Sequence, residues 1–216
     1  MSNFINFFEK FHPEIIEEER EWLKAKIYEK LFRKNEIITQ VGEVADDLYL
    51  IEEGVAAIIE DYYKGKKKED KDEFSLKTKK MSKNKVNLKR EFVLDFKTSG
   101  DVACVYSSFL TRKPAKLKLV ALSLVKAQAI KYDMIQELYK NTSWGERVGR
   151  KIAEELLVMK YERERILMRY SATERYLRLL HTRPELFKRI PLKYIAAHIP
   201  ISQQAFCRLR NSFSEV

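Results

Sequence analysis

Along this chain the hydrophobic residues change period twice, from helical to strand-like and back, and that order leaves few architectures open. Ile16, Leu23, Ile27 and Leu31 share one helical face among Glu and Lys residues four apart, which predicts an amphipathic scaffold helix over Pro13 to Lys34. Glu36 to Gln40, Leu48 to Ile51 and Val55 to Ile59 are then short β-prone runs, separated by Gly42 and by Glu53-Gly54. The same texture returns in Phe92 to Phe96, Leu117 to Leu122 and Leu124 to Ile130. Short strands joined by tight turns predict an antiparallel β-roll. Helical spacing resumes at Asp133, so the fold class is α+β, with the later helices grouped behind the roll.

Asp133 reads as an acidic N-cap, with Gln136 three residues on to reach back to it. From Trp144 to about Arg169 the pattern is one long helix. Val148, Ile152, Leu156, Met159 and Ile166 recur at spacings of four, four, three and seven. That is close to the repeat of about 3.5 residues that lets two helices pack along a seam, so these five are the expected dimer interface. Arg163 interrupts the seam, and Glu162 and Glu164 are placed to pair with it across a dimer. The competing reading is a helix docked on its own roll.

Ser171-Ala172-Thr173-Glu174 has capping-box spacing, which predicts a new helix through Tyr176, Leu177 and Leu180. Pro191 suits the first turn of another helix, Ile199-Pro200-Ile201 breaks it, and Ser202 then stands as an N-cap. Ile195, Ala196, Ile199, Ile201, Phe206 and Leu209 fall where a helix-turn-helix buries residues, and Ile201 can staple onto Phe206. Gln203, Gln204, Cys207, Arg208 and Asn211 face outward. Gln can bridge the adenine edge and Arg the guanine edge, while Ser202 can hold a phosphate at the helix N-terminus. Lys193 and Arg210 are the expected phosphate contacts. Any small helical domain shows amphipathic helices and a short turn, so spacing alone does not decide the function.

The formal charge of +10 calls for a polyanionic partner without saying which. Lys64 to Arg90 carries 12 basic and four acidic residues, and Lys188 to Val216 five basic and one acidic. The first stretch is read as a solvated hairpin loop in preference to an auxiliary nucleic-acid contact. Cys104 and Cys207 lie far apart with no CxxC or Cys/His grouping, so no metal or iron-sulfur cluster is supported. His12, His181 and His198 are scattered, and no nucleophile, carboxylate pair or phosphate loop accompanies them, so an enzyme is not expected; His198 reads as a helix-surface residue. The start of the chain lacks the basic and apolar regions of a signal peptide, and no apolar run is long enough to cross a bilayer. A cytoplasmic protein with no membrane partner is expected.

In this order the segments resemble the Crp/Fnr family of transcription regulators, over about Lys34 to Phe213. The most specific stretches are Ser171 to Leu180 and Ile190 to Ala196 continued through Arg208-Leu209-Arg210; Gly42, Leu48-Tyr49, Glu53-Gly54 and Phe109-Leu110-Thr111 echo the roll. The resemblance implies a cyclic-nucleotide-binding-type sensor roll over residues 1–142, a dimerisation helix over 143–170 and a helix-turn-helix domain over 171–216. It implies a homodimer on double-stranded DNA, RNA polymerase as a further partner, and base reading by Gln203, Gln204 and Arg208. The family's Gly-Glu pair for ribose and Arg-Ser or Arg-Thr step for phosphate are missing from Gly100 to Val105 and Lys113 to Lys116. Cyclic AMP binding and a cofactor are therefore not expected, and Ser107, Ser108 and Arg112 remain as weak effector candidates. Pro200 replaces a turn glycine of left-handed conformation, which predicts a turn built differently, and no β-wing is expected after the last helix. The alternative is a dimeric sensor or interaction module that no longer reads DNA.

Overall fold

A computed structural model of the chain describes residues 4–64 and 88–213. Most of the lysine-rich stretch read as a solvated loop, residues 65–87, thus lies outside the described residues. The expected scaffold helix is shorter than its apolar spacing implied: after α1 (Phe4–Glu9), helix α2 covers only Glu17–Lys26. Its first turn carries Glu17, Glu18 and Glu19, and the Glu19 carboxylate accepts the Ile16 N–H at 3.2 Å, both suited to a helix N-terminus. Tyr28–Phe32 is instead strand β1, paired antiparallel with β8 (Val125–Lys131), and Leu31 is 64% exposed. A waiting strand edge outcompetes helix propensity here, because Phe32 becomes buried in the roll.

The expected strand runs all lie in antiparallel pairs. Beside β1 and β8 these are β2 (Ile37–Thr39), β3 (Asp47–Glu53), β4 (Ala56–Lys64), β5 (Leu88–Lys97), β6 (Val102–Ala103) and β7 (Lys118–Ala121). One sheet has the order β1-β8-β3-β6 and the other β2-β7-β4-β5, with a short helix α3 (Tyr106–Thr111) between β6 and β7. Gly54, between β3 and β4, has φ +97°, and a Cβ there would lie 2.2 Å from the Leu124 carbonyl oxygen, so the turn can seat only glycine. Leu50, Ile51, Leu119, Val125 and Ile130 are fully buried in one core that the roll shares with the N-terminal helices.

Helix α4 (Tyr132–Asn141) starts one residue earlier than its expected cap: Lys131 is the N-cap, and Asp133 lies in the first turn, where its charge still suits the helix dipole. Helix α5 spans Gly145–Arg169 and is anchored at its start by buried Trp144, whose Nε1–H donates to Glu19 at 2.9 Å and whose ring stacks on His12. Four helices follow: α6 (Ala172–Thr182), α7 (Glu185–Arg189), α8 (Leu192–His198) and α9 (Gln203–Asn211). The predicted capping box forms at α6, where Ser171 Oγ accepts the Glu174 N–H and Glu174 accepts the Ser171 N–H.

A second core joins the two ends of the molecule. Val55, Ala57, Ile59, Val93, Phe96 and Leu122 from the roll pack in one buried cluster with Tyr176, Leu186, Tyr194, Ile195, Ile199 and Phe206 from the terminal helices. Helix α8 lies against β5, so the terminal helices share their core with the outer face of a sheet. Among the described residues no helix is long and apolar enough to cross a membrane.

Candidate nucleic-acid interface

Helices α8 and α9 form the predicted helix-turn-helix. Pro191 caps α8 with φ −60°, the value its ring prefers, and Ser202 Oγ caps α9 by accepting the Ala205 N–H at 3.1 Å. Ile195, Ala196, Ile199 and Phe206 are buried, with Ile201 and Leu209 half-buried beside them, so the inner face is the one the spacing predicted. Gln203, Gln204, Cys207 and Arg208 are all exposed and line one shallow, open concavity on α9. Lys193 and Arg210 are exposed too, the Lys193 ammonium lying 4.6 Å from the Tyr194 ring centroid. The face therefore joins amide and guanidinium groups with flanking cations.

The turn between the two helices runs through Pro200 and is closed by the Ile201 N–H, which donates to the Ala196 carbonyl at 3.1 Å, with Ile199 buried and Ile201 half-buried on either side.

His198 corrects one expectation. It is 8% exposed, not on the helix surface, with its ring 4.8 Å from that of Phe96 and Nδ1 3.1 Å from the Val93 carbonyl oxygen. Burial, then the nearby Arg163 guanidinium, lowers its pKa to about 4, so the ring is neutral. Arg183 extends the junction by donating to the Phe96 carbonyl at 3.1 Å and to Thr98 Oγ1 at 2.8 Å. No local pattern signals these contacts, since the partners lie 35 to 105 residues apart.

Helix α5 divides its faces differently from the proposed seam. Val148 is only 1% exposed, and both it and half-buried Ile152 pack into the chain's own first core. Leu156 and Ile166 are half-buried, and Met159 alone of the five is exposed. On the far side Leu157, Tyr161 and Met168 are exposed, at spacings of four and seven. Arg163 lies on the inward side of α5, where its guanidinium turns toward α8 and donates to the His198 carbonyl.

No family model and no curated protein matches the chain. Among solved structures, it is similar to the global regulator CLP of Xanthomonas campestris, described as responsive to c-di-GMP, at 18% identity over 91% of this chain and 90% of that one, with a TM-score of 0.62. FixK2 of Bradyrhizobium japonicum is similar at 16% identity, covering 88% and 85%, with a TM-score of 0.62. A protein of Eubacterium rectale assigned to the Crp/Fnr family of transcriptional regulators gives 13% identity, 96% and 88% coverage and a TM-score of 0.62. This is the Crp/Fnr regulator fold.

Within the Crp/Fnr fold, the weak effector candidates around α3 are engaged by the chain itself. Ser108 is buried; its Oγ accepts the Ala45 N–H at 3.0 Å and donates to the Lys113 carbonyl at 2.6 Å. Arg112, at φ +55°, donates to the Ala45 carbonyl at 2.8 Å and to Asp46 at 2.6 Å, and lies 4.1 Å above the Tyr132 ring centroid. Ser107 is exposed, and its carbonyl accepts from Thr111 Oγ1. Nearby, burial pushes the Cys104 thiol up to about 12, leaving it an unreactive packing group. Among the described residues no group of three or more His, Cys, Asp or Glu is placed to hold a metal ion.

Proposed function

We propose that the chain is a cytoplasmic, homodimeric transcription regulator that reads DNA with α9, does not bind cyclic AMP in the usual way, and acts through contact with RNA polymerase and not by catalysis. The observation that carries this reading is the exposed face of Gln203, Gln204 and Arg208 behind the Ser202 cap, on a helix whose opposite side packs inward through buried Phe206 and half-buried Leu209. In a major groove Arg208 is suited to guanine and the two glutamines to adenine, while Lys193, Arg210 and Ser202 meet phosphates. Residues 1–142, 143–170 and 171–216 would then serve as sensor roll, dimer helix and reader. Engagement of Ser108 and Arg112 by Ala45, Lys113 and Asp46 supports the view that the usual cyclic-nucleotide contacts have been given up.

The alternative, a module that keeps roll and dimer helix but reads no DNA, rested on Pro200. The buried inner face of α8 and α9, packed as a helix-turn-helix requires on both sides of Pro200, favours the reader. Sequencing genomic fragments bound by the wild type and by Arg208→Ala decides between them. A selected, inexactly palindromic motif is expected, with Arg208→Ala weakened on it by about 1 to 3 kcal/mol and hardly changed on random DNA. Equal loss on both would remove Arg208 from base reading, and the absence of any motif would leave the alternative.

A further inference from the structure

Arg163 reaches from α5 to the far end of α8. Its Nη2 donates to the His198 carbonyl oxygen at 2.5 Å and lies 3.2 Å from His198 Nδ1. Since Nδ1 is 3.1 Å from the Val93 carbonyl, the ring N–H is committed to Val93, and the bond from Arg163 is the one to the backbone. That carbonyl is one of the last in α8, which the helix leaves without a partner of its own, and it lies at the negative end of the helix. Only Ile199, Pro200 and Ile201 separate it from Ser202, the cap of α9. His198 is thus gripped twice: by its ring, against Val93 and Phe96 of the roll, and by its carbonyl, from α5.

We infer that Arg163 is a positioning residue for DNA reading: by tying the end of α8 to α5, it fixes the aim of α9 relative to the dimer helix, and with it the half-site spacing that two recognition helices accept. The inference rests on the proposed dimeric reader. It separates two properties that a simply structural arginine would not. Base preference within a half-site belongs to the outer face of α9, and spacing preference belongs to the tie.

The test compares the full-length wild type, Arg163→Met and Arg163→Lys on the selected motif, with its half-sites moved apart or together by one and two base pairs. The wild type should prefer its own spacing by about tenfold or more, because the half-sites must follow the helical turn. Arg163→Met should flatten that preference to about threefold or less while binding a single half-site as before, and Arg163→Lys, which keeps a donor, should restore most of it. Full spacing preference in Arg163→Met, or loss of half-site preference along with it, overturns the assignment. Amide exchange supplies a readout independent of DNA. The Ile199 and Ile201 amides should exchange about tenfold faster in Arg163→Met and recover in Arg163→Lys, and unchanged exchange refutes the tie. If the wild type selects no site, the regulator reading falls and the spacing role with it, and exchange alone then shows whether the tie exists.

Discussion

A buried neutral histidine beside an arginine makes the junction between roll and terminal helices sensitive to acid. His198 faces Arg163 and Arg183 as like charges when protonated and Asp95 as the opposing one, and its pKa is lowered to about 4 from the 6.5 of a free side chain. The folded state therefore binds fewer protons than the unfolded one between these values. The stabilisation is complete above pH 6.5 and is lost as pH falls through 4, with a full span of about 3 kcal/mol. His198→Asn keeps a donor for the Val93 carbonyl but has no titrating ring. Urea unfolding from pH 7 to 4 should show the wild type losing stability relative to this variant; parallel curves would mean that the ring is not held neutral.

Among the elements, α5 carries the sharpest reassignment. Its early inward positions, Val148 and Ile152, serve the chain's own core, and Leu157, Tyr161 and Met168 form an exposed apolar stripe, which under the proposed dimer is the face expected to meet a second copy. Leu157→Glu with Met168→Glu should give a monomer with an unchanged circular dichroism spectrum, because both side chains stand in solvent within the single chain. Ile152→Glu should instead lower the unfolding temperature, since it puts a charge against the packed roll. Light scattering together with thermal melts distinguishes the outcomes, and a dimeric double variant would place the interface elsewhere. The heptad-like spacing was legible in the sequence. Which of the two apolar stripes was spoken for was not, because both satisfy a helical period and only the roll's position chooses between them.

For the molecule as a whole, the shared second core means that the terminal helices and the roll hold each other through β5 and α8. The basic excess from Lys188 onward, five basic residues against one acidic, then stands on a framed surface suited to a polyanion. With three or four basic contacts per half, the dimer's affinity for DNA should fall with a log–log salt slope of about −5 to −7, measured by titration over a range of potassium chloride concentrations. A slope near zero would argue against phosphate contact by Lys193 and Arg210. Features encoded within a few residues are legible before folding: the strand runs, the capping box at Ser171, the Ser202 cap, and the inner and outer faces of α8 and α9. That the helix expected from Pro13 stops at Lys26, that His198 is buried, that Arg163 grips the end of α8, and that Val148 belongs to the chain's own core are settled by long-range packing. Caps and periods depend on neighbours within about one helical turn, whereas burial and ion placement depend on surfaces that folding brings together from distant parts of the chain.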